Sequence, residues 1–295
     1  MTFSSSHAEC GFDAPSVPLR DSDFDVDAAR GLALRVRKRC LEVTKGSRFG
    51  HLGPDFSAVD LLCVLYLTAL RFPSGDMRHA DRDRFILSKG HAALALYSVL
   101  VELNWWSPTI LDSYGRVGGL LGGHPSCTSP GIETCTGSLG HGLPFAVGAA
   151  LAARTQSSAR KVFVLVGDGE LQEGSNWEAA MLAATHGLDA LTVVIDRNRL
   201  QQGRPTEEVN RLEPLAGKWR AFGWSVTEVD GHDHAAIAHC LHKLPLAAGR
   251  PSCIIANTVK GKGVSFMENN PAWHHKLPSA AEAESALQDL LQMDT

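Results

Sequence analysis

Val162, Phe163, Val164, Leu165 and Val166 form an unbroken apolar run, rich in β-branched residues, that stops at Gly167. A run of this length without polar alternation is the pattern of a strand buried on both faces in a parallel sheet. The next segment changes period. Over residues 174–186, Trp177, Ala180, Met181 and Ala184 recur at helical spacing, which predicts a helix with that face inward. A second β-branched run over 191–195 then ends in Asp196-Arg197-Asn198-Arg199-Leu200. The stretch therefore reads as strand, turn, helix, strand, with an acidic oxygen at the end of one strand and an amide oxygen at the end of the next.

The same periodicities recur on either side. Asp25 or Asp27 can cap a helix running to about Lys45, where Gly46 ends it. Residues 57–70 are apolar almost all round and predict a buried helix. A short strand precedes Gly90-His91, a helix follows to about Leu103, and Pro108 can open another. Residues 145–154 form an alanine-rich helix. Residues 225–229 read as a strand, 233–246 as an amphipathic helix, 252–257 as a buried strand and 280–293 as a terminal helix, with a mobile-looking loop at 260–263. Strand and helix in alternation predict an α/β fold, a doubly wound parallel sheet flanked by helices, whose ligands bind beyond the carboxyl ends of the strands. The expected division is a disordered lead-in over 1–23, rich in Ser, Pro and Asp, and one domain over 24–295.

Composition narrows the setting. The 295 residues are 44% hydrophobic and 20% charged, with a formal net charge of -4. No basic run suggests nucleic acid or an anionic membrane as partner, and the longest apolar stretches fall short of the roughly 20 residues that span a bilayer. No charged segment followed by an apolar core opens the chain, so no secretory signal is expected. Seven cysteines lack CxxC or metal-ligand spacing and are expected to be reduced, mostly as small core residues, in a cytoplasmic protein.

The chemistry gathers at the loops. Gly167 and Gly169 flank Asp168, so the backbone can turn tightly and approach a ligand at the end of the strand. Asp168 and Asn198 are hard oxygen donors on adjacent loops, suited with a main-chain carbonyl to Mg²⁺ or Ca²⁺. Helix amino termini at that edge favour phosphate. Single histidines stand in other glycine-rich loops: His51 within 46–53, His91 after Gly90, and His124 after Gly122 and Gly123.

Together these segments resemble a known family. Gly167-Asp168-Gly169, a long spacer and Arg197-Asn198 are similar to the thiamine diphosphate motif, with Arg197 where the motif's first asparagine stands. Residues 167–174, reading GDGELQEG, resemble the transketolase family more narrowly. So do 82–91, 136–142 and the segments around His51 and Trp273-His274-His275. Leu52, Lys89, His141, Pro144 and His275 depart from the usual residues of that pattern.

The resemblance implies a PP-type domain binding thiamine diphosphate. Asp168, Asn198 and the carbonyl of Leu200 would hold the ion, Gly167 and Gly169 would lie by the diphosphate, and Gly137 and Leu139 would touch the rings. His51, His91, His124 and His274 would orient substrate and relay protons. Glu173 is either a buried acid at a subunit interface or a carboxylate stabilised by its helix terminus, and His141 either lines the cofactor site or fills a glutamine's space. The implied reaction transfers a two-carbon ketol from a ketose donor to an aldehyde acceptor. Because the family's activating glutamate lies on a second, pyrimidine-binding domain, a separate C-terminal subunit carrying that domain is expected, in an α₂β₂ assembly. The alternatives are the α subunit of a 2-oxo acid dehydrogenase, an enzyme like deoxyxylulose phosphate synthase, and a non-catalytic subunit that retains the fold.

Overall fold

The computed structural model describes residues 24–293; the lead-in expected over 1–23 lies outside them. Nine α-helices and seven strands follow one another among the described residues. They are α1 Val26–Thr44, α2 Leu52–Thr68, β1 Arg84–Leu87, α3 Ala93–Glu102, α4 Gly142–Thr155, β2 Val162–Gly167, α5 Gly174–Thr185, β3 Leu191–Arg197, β4 Leu200–Gln201, β5 Arg204–Pro205, α6 Thr206–Val209, α7 Leu215–Ala221, β6 Ser225–Asp230, α8 His234–His242, β7 Ser252–Asn257 and α9 Ala280–Gln292.

Five strands form one sheet in the order β1-β2-β3-β7-β6, all parallel. Successive side chains of a strand point to opposite faces, so each central strand feeds two cores. Phe163, Leu165 and Val194 pack with α1, α2, α3 and α8 on one face, while Val162, Val164, Val166, Val193 and Ile195 pack with α4, α5 and α7 on the other. This is the doubly wound architecture expected from the sequence.

Asp25 caps α1 by accepting the Asp27 and Ala28 amides at 2.9 Å. Helix α2 is buried on nearly every side, as its composition requires, but it starts at Leu52 rather than Ser57, with Pro54 in its first turn. A buried two-pronged pair joins it to α1, in which Arg37 donates to both oxygens of Asp60 at 3.0 and 2.7 Å. A capping box at Ser279 and Glu282 opens α9.

Three expectations are corrected. Met181 does not lie on the inner face of α5: it is 50% exposed, and the buried face runs through Asn176, Ala179, Ala180 and Ala183. The 260–263 loop is anchored, since Lys260 is buried and the Gly261 amide donates to the Gly53 carbonyl at 3.0 Å. Helix α8 ends at His242, short of Pro245, whose nitrogen has no hydrogen to donate. Of the six described cysteines, Cys40, Cys63 and Cys253 are buried and Cys240 packs against the core, while Cys127 and Cys135 are exposed. The β4–β5 hairpin and α7 were not foreseen.

Candidate active site

In the pairing of β2 with β3, Gly167 lies beside Asp196, so Asp168 and Asn198 emerge together just beyond the carboxyl end of the sheet. They open onto a cleft of about 460 Å³. The twelve residues singled out from the sequence all line it: His51, His91, His124 and His274, Gly137 and Leu139, Gly167, Asp168 and Gly169, and Glu173, Asn198 and Leu200.

One end of the cleft is built from oxygens. Asp168 Oδ1 accepts the Gly169 amide at 2.7 Å, and Oδ2 accepts the Arg199 amide at 2.5 Å and Arg197 Nη1 at 3.0 Å. Asn198 Oδ1 accepts the Leu200 amide at 3.1 Å, while its Nδ2 donates to Asp196 Oδ1 at 3.2 Å. Arg199 sits at φ 64, a left-handed kink between the amide oxygen of Asn198 and the carbonyl of Leu200. Burial and the neighbouring Asp196 carboxylate push the Asp168 carboxyl up, against the pull of Arg197. A divalent cation would add to the pull of Arg197 and favour the ionised form of this buried carboxylate. The donor set of carboxylate, amide oxygen and main-chain carbonyl suits Mg²⁺, with phosphate oxygens and water completing the shell. No group of three or more His, Cys, Asp or Glu among the described residues is arranged to hold a metal.

Beneath this end, Asp196 is fully buried and ion-paired with Lys89, and it also accepts from Ser57 Oγ at 2.6 Å and from Thr258. Burial opposes its charge, yet Lys89 and these donors hold its carboxyl below the usual range. Glu170 ties three loops together. Its oxygens accept the amides of Gly140 and Gly167 at 3.0 and 3.1 Å, and Ser88 Oγ also donates to it. Glu173, three residues on, is exposed at the N-cap of α5 and makes no capping bond. In the described chain the buried acid of this turn is therefore Glu170, and Glu173 is open at the cleft.

The other end is built from imidazoles. The His51 ring centroid lies 5.6 Å from His91, 5.9 Å from His124, 5.8 Å from His274 and 4.7 Å from His275, and His91 lies 5.2 Å from His274. Local structure brings them together. Asp55, in the first turn of α2, donates its amide to the His51 carbonyl and accepts the Ala95 amide of α3 on Oδ1 at 3.0 Å, which joins the His51 and His91 loops. A Cβ on Gly90 would stand 2.7 Å from the Gly137 amide, and one on Gly137 would stand 2.6 Å from the His124 ring. Only glycine at both positions lets the His91 and His124 segments cross this closely.

Lys260 Nζ lies 2.8 Å from His274 Nδ1 and 3.4 Å from the Leu200 carbonyl, bridging the two ends of the cleft. Burial and the neighbouring cations lower the imidazoles, His51 to about 4 and His274 to about 3, with His91 well below its ordinary value. Burial, with Lys89 nearby, also lowers Lys260 to about 8. Near neutral pH His51, His91, His124 and His274, all lowered from the ordinary value, are therefore uncharged, able to accept or donate a proton at a substrate hydroxyl. His51 Nδ1 is buried without a hydrogen-bond partner.

Four residues of the site escaped the sequence reading. Lys89 and Lys260 stood out only as a departure and as part of a loop, Glu170 only as a residue in a turn, and His275 only as a substitution. For three of them the available signal was position, since Lys89, Glu170 and His275 each lie within two residues of one that was singled out. Lys260 has no such neighbour.

A parallel α/β sheet with an oxygen-rich cluster beyond two central strands and a ring of histidines opposite defines an α/β domain with one candidate cofactor cleft. Residues 29–293 match the transketolase thiamine diphosphate binding domain, and the chain belongs to that family. It is 45% identical to one of the subunits of apulose-4-phosphate transketolase from Actinobacillus succinogenes, over 91% of this chain and 98% of that one. It is 40% identical to the 6-deoxy-6-sulfo-D-fructose transketolase subunit SqwG of Clostridium sp. (strain MSTE9), over 81% and 88% respectively. Among solved structures it is similar to transketolase from Campylobacter jejuni, with a TM-score of 0.80 and 25% identity, covering 92% of this chain but 48% of that one. No helix among the described residues is long and apolar enough to cross a membrane.

Proposed function

We propose that this chain is the diphosphate-binding subunit of a two-chain transketolase, which transfers a two-carbon ketol from a ketose donor to an aldehyde acceptor with thiamine diphosphate and Mg²⁺. The observation that carries this reading is the single cleft on which a metal-type oxygen cluster and four neutral histidines converge. Asp168 and Asn198 side chains and the Leu200 carbonyl would hold the ion, with Gly167 and Gly169 leaving room for the diphosphate and Gly137 and Leu139 lying against the rings. The cofactor supplies the nucleophilic carbon and the electron sink for breaking and remaking the carbon–carbon bond. His51, His91, His124 and His274 would orient substrate hydroxyls and carry protons, while Lys260 fixes His274 and adds positive charge.

The need for a second chain is supported by the relatives and by the surface. Relatives that match this chain over 98% and 88% of their own length are named as subunits of transketolases. The outer surface of α4 and α5 also leaves Phe145, Met181 and Leu182 exposed, an apolar area suited to a partner. That partner would carry the pyrimidine-binding domain and its activating glutamate, in a cytoplasmic α₂β₂ enzyme. Glu173, open at the cleft rim, would face it.

The test is co-purification with a candidate second subunit, followed by Mg²⁺-dependent titration of thiamine diphosphate and assay of ketol transfer to a panel of aldehydes. Saturable binding and transfer are expected, both lost in Asp168→Ala and Asn198→Ala. No binding by the reconstituted pair, or full transfer by Asp168→Ala, would overturn the proposal. Turnover by the isolated chain would overturn the two-chain part.

A further inference from the structure

Cys127 and Cys135 stand apart from the other described cysteines. Cys40, Cys63 and Cys253 are buried in the cores and Cys240 is partly covered, and burial raises the thiol of each. Such thiols are poor nucleophiles. Cys127 and Cys135 are both exposed, and their Sγ atoms lie 3.2 Å apart although the residues are eight positions apart in the chain. The Cys127 amide also donates to Cys135 Sγ at 3.3 Å, and Ser126 Oγ lies 4.0 Å from the same sulfur. The amide and thiol of Cys127 together hold the Cys135 thiol below its ordinary value, while that contact pushes Cys127 up. One sulfur is thus set up to attack and the other to follow.

The pair closes the neck of the segment that leaves His124 and returns to Gly137. The neck is held by the Thr136 amide donating to the Pro125 carbonyl at 3.3 Å. The far side of the segment is held by Trp106 Nε1 donating to the Pro130 carbonyl at 3.2 Å and by ion pairs of Glu133 with Arg82 and Arg84. Beyond the neck, the His124 ring packs directly against Gly137, and Tyr97 donates its hydroxyl to the His124 carbonyl at 3.0 Å. A disulfide needs the sulfurs about 1.2 Å closer than they stand. Rotation of the two exposed side chains can supply part of that movement, and with the far side anchored the rest falls on the neck and the residues flanking it.

We propose that Cys127 and Cys135 form a reversible disulfide-modification site, and that closing the bond displaces the His124 ring in the cleft. The oxidant is a low-molecular-weight disulfide. The Cys135 thiolate attacks one of its sulfurs, forming a mixed disulfide and releasing one thiolate. Cys127, losing its proton to solvent, then attacks the Cys135 sulfur and expels the second thiolate. Two protein thiols are oxidised, one small disulfide is reduced to two thiols, and dithiothreitol reverses the exchange. The effect on turnover rests on the reading of the cleft as an active site; the bond itself does not.

The test treats the full chain, in complex with its partner subunit, with oxidised glutathione and follows it by non-reducing mass spectrometry and activity. The expected product has lost two hydrogens, carries no glutathione, and maps to a link between Cys127 and Cys135. Cys127→Ser should instead retain one glutathione on Cys135, and Cys135→Ser should react about tenfold more slowly. Glutathione retained on the wild type without the internal bond, or no reaction at either cysteine, would overturn the site. Ketol transfer should fall at least about fivefold on oxidation and recover with dithiothreitol, while both serine variants keep basal activity and lose the sensitivity. Oxidised wild type with unchanged activity would overturn the coupling to His124. If no preparation transfers a ketol before oxidation, the functional reading fails, and the mass measurement still decides the disulfide.

Discussion

Arg197 Nη1 donates to Asp168 Oδ2 at 3.0 Å, with both side chains buried. The same guanidinium reaches Thr206 Oγ1 at 2.8 Å and Glu207 and Glu213 at 3.0 Å each, fastening the end of β3 to the segment that follows the hairpin. The two glutamates are 37% and 55% exposed, so their share is small after screening, and the buried contact with Asp168 dominates.

Removing one partner of a buried pair leaves a charge uncompensated. Arg197→Leu should destabilise the chain by about 3–5 kcal/mol in divalent-free buffer. Millimolar Mg²⁺ should recover part of the loss, because the ion takes over the neutralisation of Asp168. Urea melts with and without Mg²⁺ decide this, and equal losses in the two buffers would count against it. Arg197→Lys keeps the charge but not the planar fork, so it should fall between wild type and Arg197→Leu.

The central strand–turn–helix–strand unit was legible because a strand buried on both faces writes an unbroken apolar run. Asp168 and Asn198 follow from where those runs stop. Helix α5 misled because its apolar residues outnumber its covered ones: four small or polar side chains fill the space over the sheet, and Met181 and Leu182 are left outside. The hairpin and α7 are too short for periodicity to register. Lys89 and Lys260 were illegible for a different reason. Periodicity places lysine on the surface, and only the folded chain reveals that Asp196 and the cleft draw both ammonium groups inside. His275 reads from sequence as a lone substitution, yet the turn after Trp273 brings it nearer to His51 than any of the other three histidines singled out.

The Lys89–Asp196 pair gives a second test of the same physics. Lys89→Met removes the ammonium from a carboxylate with no exposure and should cost about 3–5 kcal/mol. Adding Asp196→Asn to that variant should cost much less than the sum of the single changes, since the charge that needed compensation is gone. Additive losses in a double-mutant cycle would show that the pair is not coupled as the geometry requires.

Asp55 carries an opposite kind of strain. It is fully buried, its Oδ2 has no partner, and burial raises its carboxyl to about 7 despite the bond from Ala95. The native chain therefore binds a proton that the unfolded chain has lost between about pH 4 and 7, and stability falls as pH rises through that window. Asp55→Asn keeps an acceptor for Ala95 and removes the titration. It should stabilise the chain by about 2–4 kcal/mol at pH 8 and by less at pH 5. Coincident denaturation midpoints of variant and wild type at pH 8 would contradict this.

The histidine ring pulls in the other direction. Burial, followed by the charges of neighbouring groups, lowers His51 to about 4, below the ordinary value of 6.5. Between those values the unfolded chain binds more protons than the native one, so this contribution is present above pH 6.5 and is lost as pH falls towards 4. Because His51 is only partly covered, the loss it causes should be on the order of 1 kcal/mol. His51→Asn should flatten the stability profile by that amount between pH 6.5 and 4 while leaving its alkaline side unchanged. Direct titration of the His51 ring by NMR gives the independent check: a midpoint near 4 is expected. A midpoint near 6.5 would mean that the cleft holds a charged imidazole under mildly acidic conditions, and the proton-relay role proposed for the ring would have to be rebuilt around that charge.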